Sequence, residues 1–122
     1  MHDKTVCIID DEVAMRQSLE SLVRSMGVRV RLYASAEAFL EYGRNGPSHC
    51  IVCDIQMAGM SGIELLDCLR AGCCDVPLIF VTAHPSTGRL IEARRLGALC
   101  VLEKPFDPRE LVQWLMRALA GC

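Results

Sequence analysis

Aromatic residues are scarce: three Phe, two Tyr and one Trp in 122 residues. The core must therefore be built from Val, Ile, Leu, Met, Ala and Cys. A basic excess is also missing. Thirteen Lys+Arg stand against fifteen Asp+Glu, a net charge of -2, which argues against direct nucleic-acid binding by this chain. No apolar run is long enough to cross a bilayer, and Met1–Thr5 lacks the apolar stretch of a secretory signal. The expectation is a cytoplasmic protein with no membrane partner. No linker, repeat or low-complexity stretch breaks the chain, so residues 1–122 read as a single domain, with no output domain attached. What is present is a globular composition, 52% apolar and 23% charged.

Cysteine is abundant, at eight residues, but most lie within apolar runs, as Cys7, Cys50, Cys53 and Cys100 do. Cys50 and Cys53 form a C-x-x-C inside a strand-like segment. Residues three apart on a strand face opposite ways, whereas a zinc or redox pair needs both sulfurs on one side. These cysteines, and the vicinal pair Cys73–Cys74, are read as packing rather than chemistry.

Two patterns alternate along the chain. Short apolar runs at Val6–Ile9, Val28–Tyr33, Cys50–Cys53, Leu78–Val81 and Leu99–Leu102 predict strands, the first, third and fourth covered on both faces. Helical patterns lie between them. Met15, Leu19, Leu22, Val23 and Met26 form a stripe ended by Gly27. Ser35 can cap a short helix carrying Phe39 and Leu40. Ser61 and Glu64 form a capping box before Leu65, Leu66 and Leu69. A weaker helix after Pro85 should turn Leu90, Ile91 and Leu96 to one side. Asp107, Pro108 and Glu110 open a last helix with Leu111, Val112, Leu115 and Leu119. Five βα units imply an α/β fold: a doubly wound, five-stranded parallel sheet, (βα)5, with right-handed crossovers.

In such a sheet, function gathers beyond the carboxyl ends of the strands. Strand one ends in Asp10-Asp11-Glu12, strand three in Asp54, strand four in Thr82, and strand five in Glu103-Lys104-Pro105. Strand two ends in nothing reactive, which suits an edge strand in the order 2-1-3-4-5. Each residue alone has a bland role: Asp caps turns and helices, Thr fills strands, Lys is solvated. Together they put three carboxylates, a hydroxyl and an ammonium on one rim. The carboxylates repel unless a cation sits among them, and Mg²⁺ (or Mn²⁺) prefers such hard oxygens. This set suits phosphoryl transfer to a carboxylate. Asp54, at the central strand end, is the candidate nucleophile. Asp10 and Asp11 hold metal, while Thr82 and Lys104 take the phosphoryl oxygens.

These placements resemble the receiver domain of two-component response regulators, a CheY-like, flavodoxin-like fold. Asp54-Ile55-Gln56-Met57 followed by Met60-Ser61-Gly62-Ile63-Glu64-Leu65-Leu66 is similar to the family's D-x-x-M-P-x-M-S-G-x-E-L segment. Gly97-Ala98 through Glu103-Lys104-Pro105-Phe106 is similar to its G-A-x-x-[aromatic]-x-x-K-P-F segment. Both are closest to FixJ-type receivers, which precede DNA-binding domains. The resemblance implies that Asp54 is the phosphoacceptor, served by Thr82 and Lys104. It implies that Asp11, Asp54 and the Gln56 carbonyl ligate Mg²⁺, with Asp10 acting through water, and that Lys104–Pro105 is cis. It further implies a sensor histidine kinase as donor and a downstream output domain or protein as receiver of the signal. The switching face would be helix four, strand five and helix five, through which a phosphorylation-dependent dimer can form.

Three residues depart from the family pattern. Ala58 replaces the usual proline. Val101 stands where a Tyr or Phe rotates, so relay must proceed without that ring. His84 flanks the phosphoryl position and is expected to modulate phosphoryl lifetime. The other function class is a protein-binding module that keeps the fold and works without phosphate. The complete acidic, Thr and Lys set favours the phosphorylated switch, a phosphoacceptor that promotes its own phosphorylation and dephosphorylation rather than a separate enzyme.

Overall fold

Three strands are buried at every position: β1 (Thr5–Ile9), β3 (Cys50–Asp54) and β4 (Leu78–Thr82). The computed structural model describes residues 3–121. Met1, His2 and Cys122 lie outside the described residues, and with them the very start of the N-terminal segment and the eighth cysteine. With β2 (Arg29–Tyr33) and β5 (Cys100–Glu103), the strands form one parallel sheet in the order β2-β1-β3-β4-β5. Only the central three need to be apolar at consecutive positions, because only they are covered on both faces without an edge. β2 shows the mixed exposure of an edge strand.

The helices are α1 (Val13–Arg24), α2 (Ala36–Ala38), α3 (Gly62–Ala71), α4 (Thr87–Arg95) and α5 (Pro108–Ala120). α2 runs on as a π turn over Phe39–Gly43. Sequence periodicity does not foresee that widening, because its apolar residues, Phe39 and Leu40, are too few to fix a period. Two core clusters lie on opposite faces of the sheet. One is built from β-strand residues such as Val6, Ile8 and Val52 with Leu19 and Val23 of α1 and Leu111, Leu115 and Leu119 of α5. The other joins Cys7, Ile9 and Phe80 to Phe39 and to Leu65, Leu66 and Leu69 of α3. Cys50 belongs to the first cluster and Cys53 to the second, so the C-x-x-C is split by the strand pleat as expected. Burial pushes the thiols of Cys7 and Cys53 up, and that of Cys100 to about 12. These thiols stay protonated and unreactive near neutrality.

Helix starts follow their caps. Ser35 accepts the Ala38 N–H, and Ser61 and Glu64 complete the capping box. Asp107 accepts from Arg109 rather than sharing a box with Glu110. α4 is the correction. Leu90 and Ile91 do not share an inward stripe with Leu96: they are 39% and 62% exposed, and Ala93 is the buried residue. Ile91 lies two residues from Ala93, about 200° around the helix, so burying one exposes the other. Among the described residues, no helix is long and apolar enough to cross a membrane.

Candidate functional site

The carboxyl ends of β1, β3, β4 and β5 meet on one rim because the strands are parallel and in register: Ile9 pairs with Cys53, Asp54 with Val81, and Thr82 with Glu103. Asp10 follows β1 directly and is fully buried; Asp54 is 7% exposed. Asp11 is exposed. Ligand oxygens of these three carboxylates lie within 4.8 Å of one another.

Asp10 and Asp11 do not cap α1. The N-cap is Glu12, without a side-chain cap bond. Asp10 Oδ1 instead accepts the Glu12 N–H at 2.9 Å, and the Asp10 carbonyl accepts from Arg16 at 2.7 Å. Its other oxygen, Oδ2, takes a bond from Lys104 Nζ at 3.2 Å, and the same ammonium reaches Asp54 Oδ2 at 3.1 Å. Lys104 thus bridges two carboxylates from two strands, and the bond after it, Lys104–Pro105, is cis. Burial pushes the Asp54 carboxyl up and Asp10 adds to the rise, while the Lys104 hydrogen bond and charge oppose it; the net shift is upward. Burial draws the Lys104 ammonium down, but Asp10 and Asp54 together outweigh it, and its pKa is raised.

The loop after β3 is held from three sides. Gln56 donates its N–H to Asp54 Oδ1 at 3.2 Å, Ala58 to Asp11 Oδ2 at 3.1 Å, and Met60 to Glu37 Oε2 at 2.9 Å. Gly59 adopts φ +77° within it, a conformation that favours glycine. Gly62 is needed where α3 begins, since a Cβ there would collide with the Asp54 carbonyl oxygen. Thr82 is fully buried, and its Oγ1 accepts the His84 N–H at 3.3 Å. His84 and Gln56 are exposed beside the site, and Val101 is half-buried behind it.

The donors are all hard oxygens with no sulfur or imidazole among them, which fits Mg²⁺ or Mn²⁺ and not a thiophilic metal. Asp10, Asp11 and Asp54 are the residues that could hold it. Each Asp54 oxygen already accepts one bond, from Gln56 or from Lys104. A carboxylate oxygen has two lone pairs, so each keeps one for a metal or an electrophile.

Sequence reasoning misses two groups here. The Ala58 N–H reaches Asp11 only because residue 58 is not proline, which has no such donor. Arg89, in the first turn of α4, lines the same cleft as Asp11, Gln56 and Ala58. A cation near a helix N-terminus opposes the helix dipole, and that was the available signal that Arg89 has a partner elsewhere.

The chain matches the response regulator receiver domain over residues 6–116. It is 38% identical over 114 residues to the transcriptional regulatory protein FixJ of Bradyrhizobium diazoefficiens, covering 93% of this chain and 56% of that protein. It is 42% identical over 107 residues to FixJ of Azorhizobium caulinodans, covering 88% and 51%. The crystal structure of FixJ-N superposes with a TM-score of 0.89 at 35% identity, covering 100% of this chain and 98% of that one. The chain spans about half the length of the curated relatives it matches.

Proposed function

Since the chain belongs to the response regulator receiver family of two-component systems, we propose that Asp54 accepts a phosphoryl group in a Mg²⁺-dependent reaction. The carrying observation is the Lys104 ammonium within hydrogen-bond distance of both Asp10 and Asp54, with Asp11 converging on the same point. Asp11, Asp54 and the Gln56 carbonyl would hold Mg²⁺ or Mn²⁺, with Asp10 acting through water, and the ion would supply charge neutralisation for the transferring group. An Asp54 oxygen attacks phosphorus, and the bond from phosphorus to the donor breaks. When the donor is a phosphohistidine of a sensor kinase, the electron pair of the P–N bond leaves with the imidazole. Lys104 neutralises charge on the phosphoryl oxygens, and Thr82 turns from the His84 N–H to donate to one of them. The product is an acyl phosphate on Asp54.

The relatives named as transcriptional regulators support a transcriptional output. On this reading the face of α4, β5 and α5 is the surface that changes, toward an output domain or a second copy, in the cytoplasm. His84 and Gln56 stand where a hydrolytic water approaches, so they tune how long the phosphoryl group survives.

Incubation with acetyl phosphate and Mg²⁺ should add one phosphoryl mass to the peptide bearing Asp54, and Asp54→Ala should abolish it. Labelling of Asp54→Ala at the wild-type rate refutes the assignment. Absence of labelling in the wild type, with beryllofluoride also without effect, supports the phosphate-independent binding module instead.

A further inference from the structure

Arg89 connects the rim to α4 in a way that no role assigned above uses. A Gln56 NH2 facing the Arg89 guanidinium would set donor against donor, so the carboxamide oxygen is assigned to that side, where it accepts from Arg89 Nη1 at 2.9 Å and Nη2 at 3.1 Å. Nη1 also donates to the His84 carbonyl at 3.3 Å. Gln56 is in turn bonded through its N–H to Asp54 Oδ1, and His84 through its N–H to Thr82 Oγ1. The bonds form a path from the phosphoacceptor through Gln56, Arg89 and His84 to Thr82. Its only member on a helix is Arg89, the third helical residue of α4, whose own N–H is bonded to the Ser86 cap.

We propose that Arg89 is the positioning residue that couples the state of Asp54 to the first turn of α4, through its paired bond to Gln56 and its bond to the His84 carbonyl. The inference rests on Asp54 being the phosphoacceptor. A phosphoryl group on Asp54 brings new oxygens beside Gln56 and draws Thr82 away from the His84 N–H. Both ends of the Arg89 contact then change at once. The guanidinium is the cation of α4 that lines this cleft, and both groups it bonds are themselves bonded to Asp54 or Thr82. When Gln56 and the His84 segment shift, the Arg89 contact carries the first turn of α4 with them. This relay needs no rotating aromatic ring, which matters in a chain with Val101 at that place. Arg89 does not act on phosphorus; it positions the helix that answers.

Amide hydrogen exchange distinguishes this from an inert surface contact. Wild type, Arg89→Ala and Arg89→Lys are compared with and without beryllofluoride and Mg²⁺. Residues 54–62 report binding at Asp54, and residues 83–95 report α4. Wild type is expected to gain protection at 54–62 and to change its exchange at 83–95. Arg89→Ala should bind, with the same gain at 54–62, yet show faster exchange at 87–90 before any addition and lose most of the response at 83–95. Arg89→Lys keeps the charge but not the paired geometry, and should also lose most of it. A wild-type response at 83–95 in Arg89→Ala overturns the coupling while leaving Asp54 as acceptor. No protection at 54–62 in wild type overturns the Asp54 reading and this inference together.

Discussion

Replacing Lys104 by Met tests how the rim is held together. Lys104 is mostly buried, and its ammonium lies 3.2 Å from Asp10 and 3.1 Å from Asp54. Asp10 is fully buried, so bulk water does not take over when the lysine is lost. Removing one partner of a buried pair costs about 3–5 kcal/mol, because the other charge is left behind. Protonation sets a ceiling on that loss. At pH 7.5, forcing one carboxyl with an unperturbed pKa of about 4 to take up a proton costs about 5 kcal/mol, and at pH 5 only about 1.4 kcal/mol. Burial already pushes the Asp54 carboxyl up, which lowers the ceiling further. Lys104→Met should therefore lose about 3 kcal/mol at pH 7.5, a fall of about 10 °C in Tm, and about 1 kcal/mol at pH 5. Lys104 itself does not titrate in this window. Its folded-state pKa is raised, so its contribution is complete below the unfolded value of about 10.5 and is lost only as pH rises through the folded value. Millimolar Mg²⁺ should return part of the loss at pH 7.5 and little at pH 5, where a carboxyl is protonated. Urea unfolding at the two pH values, with and without Mg²⁺, measures all four numbers. A loss that is the same at pH 5 and pH 7.5 refutes the argument, because uncompensated carboxylates cannot be its source.

Two further substitutions probe the metal site. Asp11→Asn removes one of three crowded negative charges, so it should raise Tm by about 1–3 °C in chelator and abolish the Mg²⁺-induced rise; an unchanged Mg²⁺ titration contradicts the ligand assignment. Ala58→Pro deletes the N–H that holds Asp11 Oδ2 and should weaken Mg²⁺ binding by about three- to tenfold, with Ala58→Gly, which keeps the donor, close to wild type. Equal calorimetric titrations for the proline and glycine variants remove that donor from the account.

Much of the fold is legible because burial is written into consecutive apolar residues. β1, β3 and β4 are read to within one residue, each strand extending by one polar residue, Thr5, Asp54 or Thr82, past the apolar run that marks it. The caps at Ser35 and Ser61 are legible because side chain and spacing together define them. α4 is not. Its buried face is carried by Ala93, and an alanine gives no apolar signal against the larger Leu90 and Ile91, which the packing leaves outside. The rim is legible as a coincidence of strand ends, and the structure does bring Asp10, Asp11, Asp54 and Lys104 together. What the sequence hides is what backbone groups do. That Ala58 differs from the family proline is visible; that the difference delivers a donor to Asp11 is visible only in three dimensions. The reach of Arg89 to Gln56, across thirty-three positions of chain, is hidden for the same reason.

α4 is held to the sheet by fewer buried side chains than α3 or α5. α3 buries Leu65, Leu66 and Leu69, and α5 buries Leu111, Leu115 and Leu119. Each fully buried leucine is worth about 2 kcal/mol, so shifting either helix off the sheet carries a cost of several such side chains. α4 buries only Ala93, whose single methyl is worth about 0.8 kcal/mol. Its far end packs Leu96, partly buried, against the core and is tied as well by polar contacts. Arg70 of α3 donates to the carbonyls of Leu96 and Gly97, at 3.1 and 3.3 Å, and to those of Cys74 and Val76. Its near end is tied by Arg89. Under the proposed coupling, a helix fixed at one end by the Arg70 guanidinium, lightly packed in the middle, and held at the other end by groups that contact Asp54 and Thr82 would shift most at its amino end. The exposed Leu90 and Ile91 then lie on the part that travels. Leaving them unburied places two apolar side chains, Leu90 and Ile91, on the exposed surface of this helix.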